Sequence, residues 1–364
     1  MSYKSGIAAL NLEMTGKVPR TEFSVHFIWP LLKKVTGIDT DIIENRKEAI
    51  RQFEKAWDFA LAWSISVFRN YLNKGRRTHM GHSVYIQDYR GFDNPYTDSN
   101  NKDGSDYDSK KTSPFKDVEE IYNIDFFKEY GEFNQVKLIK DFNEHYLSQC
   151  ADHPDSVNMG GVYITLFSGL IEICGWDLLL QTMFDEKRFA QLVQGYYEWV
   201  KQFFDAYAKT DIPVFMSHDD IVWANGPIMN PQLYRKYIFP KLKGLWSIIK
   251  GSGKKLLYTC DGNYTAFLDD VVDCGPDMIF MEPSTDMSYF AKKYGKTHGF
   301  CGNADTRVLL TGTKEEIYKE VKRCMDIGKQ YPGYVMSVGN HIAPNTPIDA
   351  CLYYNEAYEK FARR

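Results

Sequence analysis

The sequence has no run of about 20 apolar residues, the length that would span a bilayer. Its opening stretch, MSYKSGIAALNLEMTG, lacks the apolar centre of a secretory signal. No block of Lys and Arg stands out. RKYIFPKLKG and KKLLY are short and alternate with apolar residues, as helix and strand surfaces do. With a net charge of −4, a nucleic-acid partner is not expected. No strand leads into GxGxxG, which argues against an open nucleotide-binding sheet with a nicotinamide cofactor. GxxxxGK[ST] and GxSxG are also missing, which disfavours a phosphate loop and a serine hydrolase. There is no CxxC or HxxxH pair of the compact metal-binding kind. The seven cysteines are odd in number and scattered, so reduced thiols in a cytoplasmic protein are expected, free to bind metal.

What remains is an ordinary globular composition. Of 364 residues, 44% are hydrophobic and 25% charged, enough for one decorated α/β barrel or for two domains. Aromatic residues reach 15%, with 25 Tyr and 23 Phe. They build a core and helix faces, or they line a pocket for a planar organic substrate.

Residues 1–80 read as a helical extension packed on the barrel. A helix capped by Asp39 or Asp41 is expected to start near Ile42 and run through Ile50, Phe53, Trp57, Leu61, Trp63 and Val67. GKVPRTEF reads as a turn into an extended or helical segment. The polar stretch around 93–115 reads as a long inserted surface loop, and its NNKDG lacks the acidic spacing of a calcium loop. Gln135–Cys150 and Phe189–Lys209 read as helices.

From Ile212 onward short apolar strands alternate with amphipathic helices. Strands are expected at 212–217, 254–259, 277–281, 297–301 and 333–337. Helices are expected at 231–250, 264–273, 286–294, 313–329 and 346–361, with Asn230 and Pro231 opening the first, and Thr346 and Pro347 the last. This alternation implies a parallel sheet, and so many successive units favour a closed (β/α)8 barrel over 81–364.

In such a barrel every strand ends on one rim, and that rim carries the chemistry. Cys260 in LLYTCDGN, Glu282 in MIFMEP and Cys301 in THGFCGNAD each end a strand. Two sulfurs and a carboxylate would satisfy a zinc ion with one open position. The alternative is a set of buried thiols with unrelated roles. His218, Asp219 and Asp220 follow another strand and would supply a further ligand, orient a ligand, or meet substrate. His341 in GNHIAPNTPID is a candidate acid, base or ligand, or a loop histidine bonded to backbone. Trp223, Tyr258, Asn303 and Asp305 are expected near the pocket, with Tyr258 on the same strand face as Cys260. A glycosidase pair such as Asp219 with Glu282 has nothing beyond the barrel to support it. Cys150, Cys174, Cys274, Cys324 and Cys351 fall in helices or on the opposite rim and are expected to be structural.

The ordered series HDDIVWANGPIMNPQLYRKYIFPKLKGL, LYTCDGN, CGNADTRVLLTGTKEEIYKEV and GNHIAPNTPIDA resembles the uroporphyrinogen decarboxylase superfamily, most clearly over about residues 155–364. The resemblance implies a (β/α)8 barrel and one of two chemistries: cofactor-free decarboxylation, or zinc-dependent methyl transfer to or from a corrinoid protein. The arginine motif and FSDI-type segment of decarboxylases are not found. The His-x-Cys of the coenzyme M type reads Tyr258-Thr259-Cys260 here, and its distant Cys falls near Ser337. The sequence is thus more similar to the O-demethylase methyltransferases, whose zinc ligands are more varied.

That likeness implies zinc held by Cys260, Glu282 and Cys301, with His341, Asp220 and Asp219 in catalytic roles and His218, Trp223, Tyr258 and Asn303 against the substrate. A methyl group would pass from a small-molecule donor, a methoxylated aromatic, to the Co(I) corrinoid of a partner protein, since no DxHxxG corrinoid motif occurs in this chain. A methylcorrinoid-to-thiol transferase and a decarboxylase remain alternatives. No membrane partner is expected, and a homodimer is an allowed assembly.

Overall fold

In a computed structural model of the chain, the residues described are 2–23, 25, 28–62, 71, 74–78, 80, 81, 84, 85, 105, 106 and 111–364. Most of the polar loop expected at 93–115 lies outside them, as does the stretch 63–70 that holds Trp63 and Val67.

The barrel wall is built from β1 (Leu61–Ala62), β2 (Val157–Asn158), β3 (Gly160–Val162), β4 (Val214–His218), β5 (Lys255–Cys260), β6 (Met278–Met281), β7 (Gly299–Cys301) and β8 (Tyr334–Val335). β3 to β8 form one parallel sheet in chain order, and β1 pairs parallel to β2, which leads directly into β3. Arg20 closes the ring by bridging in parallel to Phe59 on one side and Met336 on the other. The Thr21 N–H donates to the Met336 carbonyl at 3.0 Å, and the Ala60 N–H to the Arg20 carbonyl at 2.7 Å. With the segment around Arg20 counted as a strand, and β2 and β3 as one, the wall has eight parallel strands, the expected (β/α)8 barrel.

Two of those strands come from the region expected to be a helical extension. The helix expected from Ile42 to Val67 is a 3-10 turn followed by α2 (Arg46–Ala56), which ends before Trp57. Asp58 then takes φ +56°, and the chain turns into the wall. Asp39 and Asp41 do not cap it, because both bind Lys33. The earlier α1 (Ser2–Leu10) puts Ala9 and Leu10 into the interior cluster with Leu61, Val157, Val214 and Met278, residues that open strands. It thereby plugs the end of the barrel opposite the strand C-termini.

Outside the wall lie α3 (Gln135–Asp152), α4 (Phe167–Cys174), α5 (Glu186–Tyr207), α6 (Phe239–Gly251), α7 (Leu268–Asp273), α8 (Met287–Tyr294), α9 (Lys314–Gly328) and α10 (Ile348–Phe361). Their boundaries follow local chemistry. Asn230 accepts from the Gln232 N–H with Pro231 at the first helical position, Asp286 caps α8, and Thr313 with Glu316 forms a capping box on α9. α10 instead starts at Ile348 after Pro347, without a side-chain cap from Thr346. No helix among the described residues is long and apolar enough to cross a membrane.

Strand alternation sorts the wall into two faces. Phe215, Leu256, Tyr258, Cys260, Ile279 and Met281 join the outer cluster under the helices. Met216, Leu257, Met278, Phe280, Cys301 and Val335 join the inner one. Each such side chain contributes about 1.5–3 kcal/mol on burial, and the same alternation decides which residues reach the mouth.

Candidate active site

The register runs His218, Thr259, Phe280, Cys301, Val335 around one inward-facing row. Two residues further along from β4, β5 and β6, the next inward row is acidic: Asp220, Asp261 and Glu282. This row is the floor of the mouth at the strand C-termini.

Cys260 is not part of it. It pairs with Met281 on the outer face, fully buried beside Tyr258. Its Sγ accepts from the Ile221 N–H at 3.5 Å and donates to the Asp261 carbonyl at 3.2 Å. Cys301 does face inward, but three strands round from His218, in the apolar interior cluster. Burial pushes both thiols well above their ordinary pKa. The expected set Cys260, Glu282 and Cys301 is therefore not brought together: a one-residue offset turns Cys260 to the outer face, and Cys301 lies one inward row deeper than Glu282.

What does converge is His218, Asp220 and Asp261, whose ligand atoms lie within 4.8 Å of one another. His218 is buried. Its Nδ1 lies 2.7 Å from the Tyr163 carbonyl, an acceptor only, so Nδ1 carries a proton and Nε2 faces the mouth. Nε2 lies 3.2 Å from Asp220. Burial opposes charge on this imidazole, but Asp220 and Asp261 outweigh it and hold its pKa above the ordinary value. The Asp261 N–H donates to Asp220 at 2.8 Å. The Asp261 carboxyl, on the solvent side of the mouth, is pushed upward first by enclosure and then by the Asp220 and Glu282 charges.

Glu282 is held by neutral donors. The Gly262 N–H reaches Oε2 at 2.8 Å, and the Asn340 amide donates to Oε1. Burial raises its pKa above the ordinary carboxylate value. His341 follows Asn340, with its ring 5.8 Å from Phe23, which itself meets Phe280 edge-on at 4.9 Å. Burial and the nearby His218 push His341 down to about 4, so it is neutral near pH 7.

The other expected residues are elsewhere. Asp219 is fully buried and accepts from the N–H groups of Leu166, Phe167 and Ser168 and from the Ser168 hydroxyl, at the start of α4. Tyr258 faces outward, and its hydroxyl donates to the Asp219 carbonyl. Asn303 donates to the carbonyls of Glu282 and Thr285 and accepts from Arg323, which fixes the loop after β7. Asp305 caps the short helix Thr306–Thr311 and binds Arg307. Trp223 stands 51% exposed on a short hairpin, edge-on to Trp176. Of the cysteines expected to be structural, Cys150, Cys174, Cys324 and Cys351 lie in α3, α4, α9 and α10, and Cys274 directly follows α7.

Asp261, Asn340 and Tyr163 were not singled out by the sequence. Asp261 had a signal: if Tyr258 and Cys260 share the outer face, Thr259 and Asp261 must share the inner one.

The donor chemistry at the mouth fits a metal ion. One imidazole and two carboxylates converge, and the far imidazole nitrogen is fixed by a carbonyl, as in bound histidines. It is a nitrogen–oxygen set, not a sulfur set.

Residues 132–361, more than half of the chain, match the uroporphyrinogen decarboxylase (URO-D) family. Among curated proteins, the uroporphyrinogen decarboxylase of Syntrophotalea carbinolica is 28% identical over 128 residues, 35% of this chain and 37% of that protein. That of Thermus thermophilus is 24% identical over 178 residues, 49% of this chain and 50% of its own length. These alignments span about a third to a half of the curated relatives. Among solved structures, a methyltransferase from Methanosarcina mazei shares the fold over 99% of this chain and 98% of its own, with TM-score 0.63 and 16% identity. On the family match and the barrel together, this chain belongs to the uroporphyrinogen decarboxylase family.

Proposed function

We propose that the protein is a metal-dependent methyltransferase that moves a methyl group from a methoxylated aromatic, or a similar small donor, to the Co(I) corrinoid of a partner protein. The observation that carries this reading is the chemistry of the mouth. Its floor presents Asp220, Asp261 and Glu282 around one imidazole, a set that suits a cation and repels a substrate bearing several carboxylates. The fold shared with the M. mazei methyltransferase supports the reading at the level of architecture.

His218, Asp220 and Asp261 would hold the ion, which would supply Lewis acidity to the leaving oxygen of the donor. The partner's corrinoid would supply the nucleophile. The methyl group would pass to that nucleophile, with the electron pair of the carbon–oxygen bond left on the donor oxygen. Within this chain, the Tyr163 carbonyl fixes the His218 tautomer, and Asp220 is steadied by the Asp261 N–H. Phe23, Phe280 and the ring of Tyr163, stacked on His218 at 4.4 Å, offer apolar faces to an aromatic substrate. His341, neutral at pH 7, hydrogen-bonds the departing oxygen without adding charge.

The test joins metal content of purified protein to methyl transfer, followed as loss of Co(I) absorbance with a methoxylated phenol and a reduced corrinoid protein. Metal uptake by the wild type, lost in His218→Ala and Asp261→Asn, with methyl transfer, supports the reading. No metal uptake, with carbon dioxide released from a porphyrinogen carboxylate, replaces it with the decarboxylase alternative.

A further inference from the structure

Asn340 touches three parts of the mouth. Its side-chain nitrogen donates to Glu282 Oε1, and its amide lies near enough to Asp261 to favour the charged carboxylate against the burial that raises its pKa. Its oxygen accepts the His341 N–H at 2.6 Å. The other Glu282 oxygen is taken by the Gly262 N–H at 2.8 Å. The loop carrying Asn340 is fixed in turn. Gly339 lies so close to the chain after β6 that a Cβ would come within 2.3 Å of Pro283 Cδ and 2.9 Å of the Glu282 Cα. Its N–H donates to the Ala304 carbonyl at 2.8 Å. Glu282 is thus clamped from two sides, and its oxygens fall outside the His218, Asp220 and Asp261 group.

Glu282 nevertheless stands beside the donor set: it takes the N–H of Gly262, the residue after Asp261, and its charge pushes the Asp261 pKa up. A fourth protein donor would close the shell of a catalytic ion and shut out substrate, whereas three leave a position open. The two hydrogen bonds on Glu282 come from an uncharged amide and a backbone N–H, which hold the carboxylate still.

We propose that Asn340 is a positioning residue that keeps Glu282 out of the metal's coordination shell, so that the ion held by His218, Asp220 and Asp261 retains an open position. This rests on the metal site of the preceding section. It assigns Glu282 the part of a fixed neighbouring charge and gives the loop after β8 control over coordination number.

The test uses the full-length protein titrated with Co(II), whose visible absorption reports coordination number. In Asn340→Ala the released Glu282 is expected to bind the ion. The Co(II) spectrum changes and the affinity rises about tenfold, the lower end of the effects seen for groups that orient ligands. In Asn340→Ala/Glu282→Gln both return to wild-type values. Glu282→Gln alone, with Asn340 in place, leaves the spectrum unchanged, which also covers the case that Asn340→Ala does not fold. A changed spectrum in Glu282→Gln alone overturns the inference, because Glu282 would already be a ligand. An Asn340→Ala protein that binds Co(II) like the wild type overturns it as well. No Co(II) binding by the wild type removes the metal site and this inference together.

Discussion

Cys260 and Asp261 are neighbours in the chain and lie on opposite faces of the barrel wall, the thiol under the helices and the carboxylate in the mouth. Cys260→Ser should therefore leave metal stoichiometry unchanged and lower stability by about 1–2 kcal/mol, as for a polar group placed in an apolar site. Asp261→Asn should do the reverse. Elemental analysis and thermal unfolding of the two variants check this. Metal loss in Cys260→Ser with the fold intact would return the sulfur to the site.

Asp219 gathers three backbone N–H groups and a hydroxyl where α4 begins, with no solvent exposure. Asp219→Ala leaves those donors unpaired, with an expected cost of about 3–5 kcal/mol in urea unfolding. A variant as stable as the wild type would mean that α4 does not depend on this carboxylate.

Arg20 and Glu22 are an internal ion pair at 3.1 Å, both side chains fully buried. Trp57 and Tyr358 stack on the guanidinium, each 4.5 Å from its carbon, and the Tyr354 hydroxyl donates to Glu22. Arg20→Met leaves a buried carboxylate uncompensated and should cost about 3–5 kcal/mol. Adding Glu22→Gln should recover part of that loss. Chemical denaturation of the single and double variants measures the coupling, and strictly additive effects would contradict it.

His153, just after α3, pairs with Glu54 on α2 at 2.7 Å. Burial pulls its pKa down, but the Glu54 hydrogen bond and charge raise it above 6.5 overall. A raised folded-state pKa stabilises fully below the unfolded value and fades as pH rises through the folded one. The stability difference between wild type and His153→Gln should thus be about 1 kcal/mol near pH 5.5. It should shrink from pH 6.5 upward. Thermal unfolding at pH 5.5 and pH 9 compares them, and a difference that grows with pH would contradict the pairing.

Much of the second half was legible in the sequence because its signals are local. Strands such as 214–218 and 255–260 are short apolar runs, Asn230 and Thr313 mark helix starts by their own hydrogen bonding, and Pro231 does so by its fixed φ. His218 and Asp220 were legible as strand-end residues. The facing of Cys260 was not, because alternation says which residues share a face but not which face looks inward. That depends on register with neighbouring strands, such as His218 with Thr259. Asn340 gave no signal, since a loop amide gains meaning only from the carboxylates it meets. The strand around Arg20 is too short to show alternation, and its partners sit far along the chain.

That distance has a consequence for how the molecule is made. Glu22 accepts the Val338 N–H across 316 residues, and the neighbouring backbone joins Thr21 to Met336. As the chain leaves the ribosome, the segment around Arg20 emerges more than 300 residues ahead of its partner at Met336. Until then both flanks of the growing sheet carry unpaired N–H and carbonyl groups that can pair with another chain. A nascent chain stalled before Tyr334 should present an open, sticky sheet, and engagement by chaperones should persist until β8 is released.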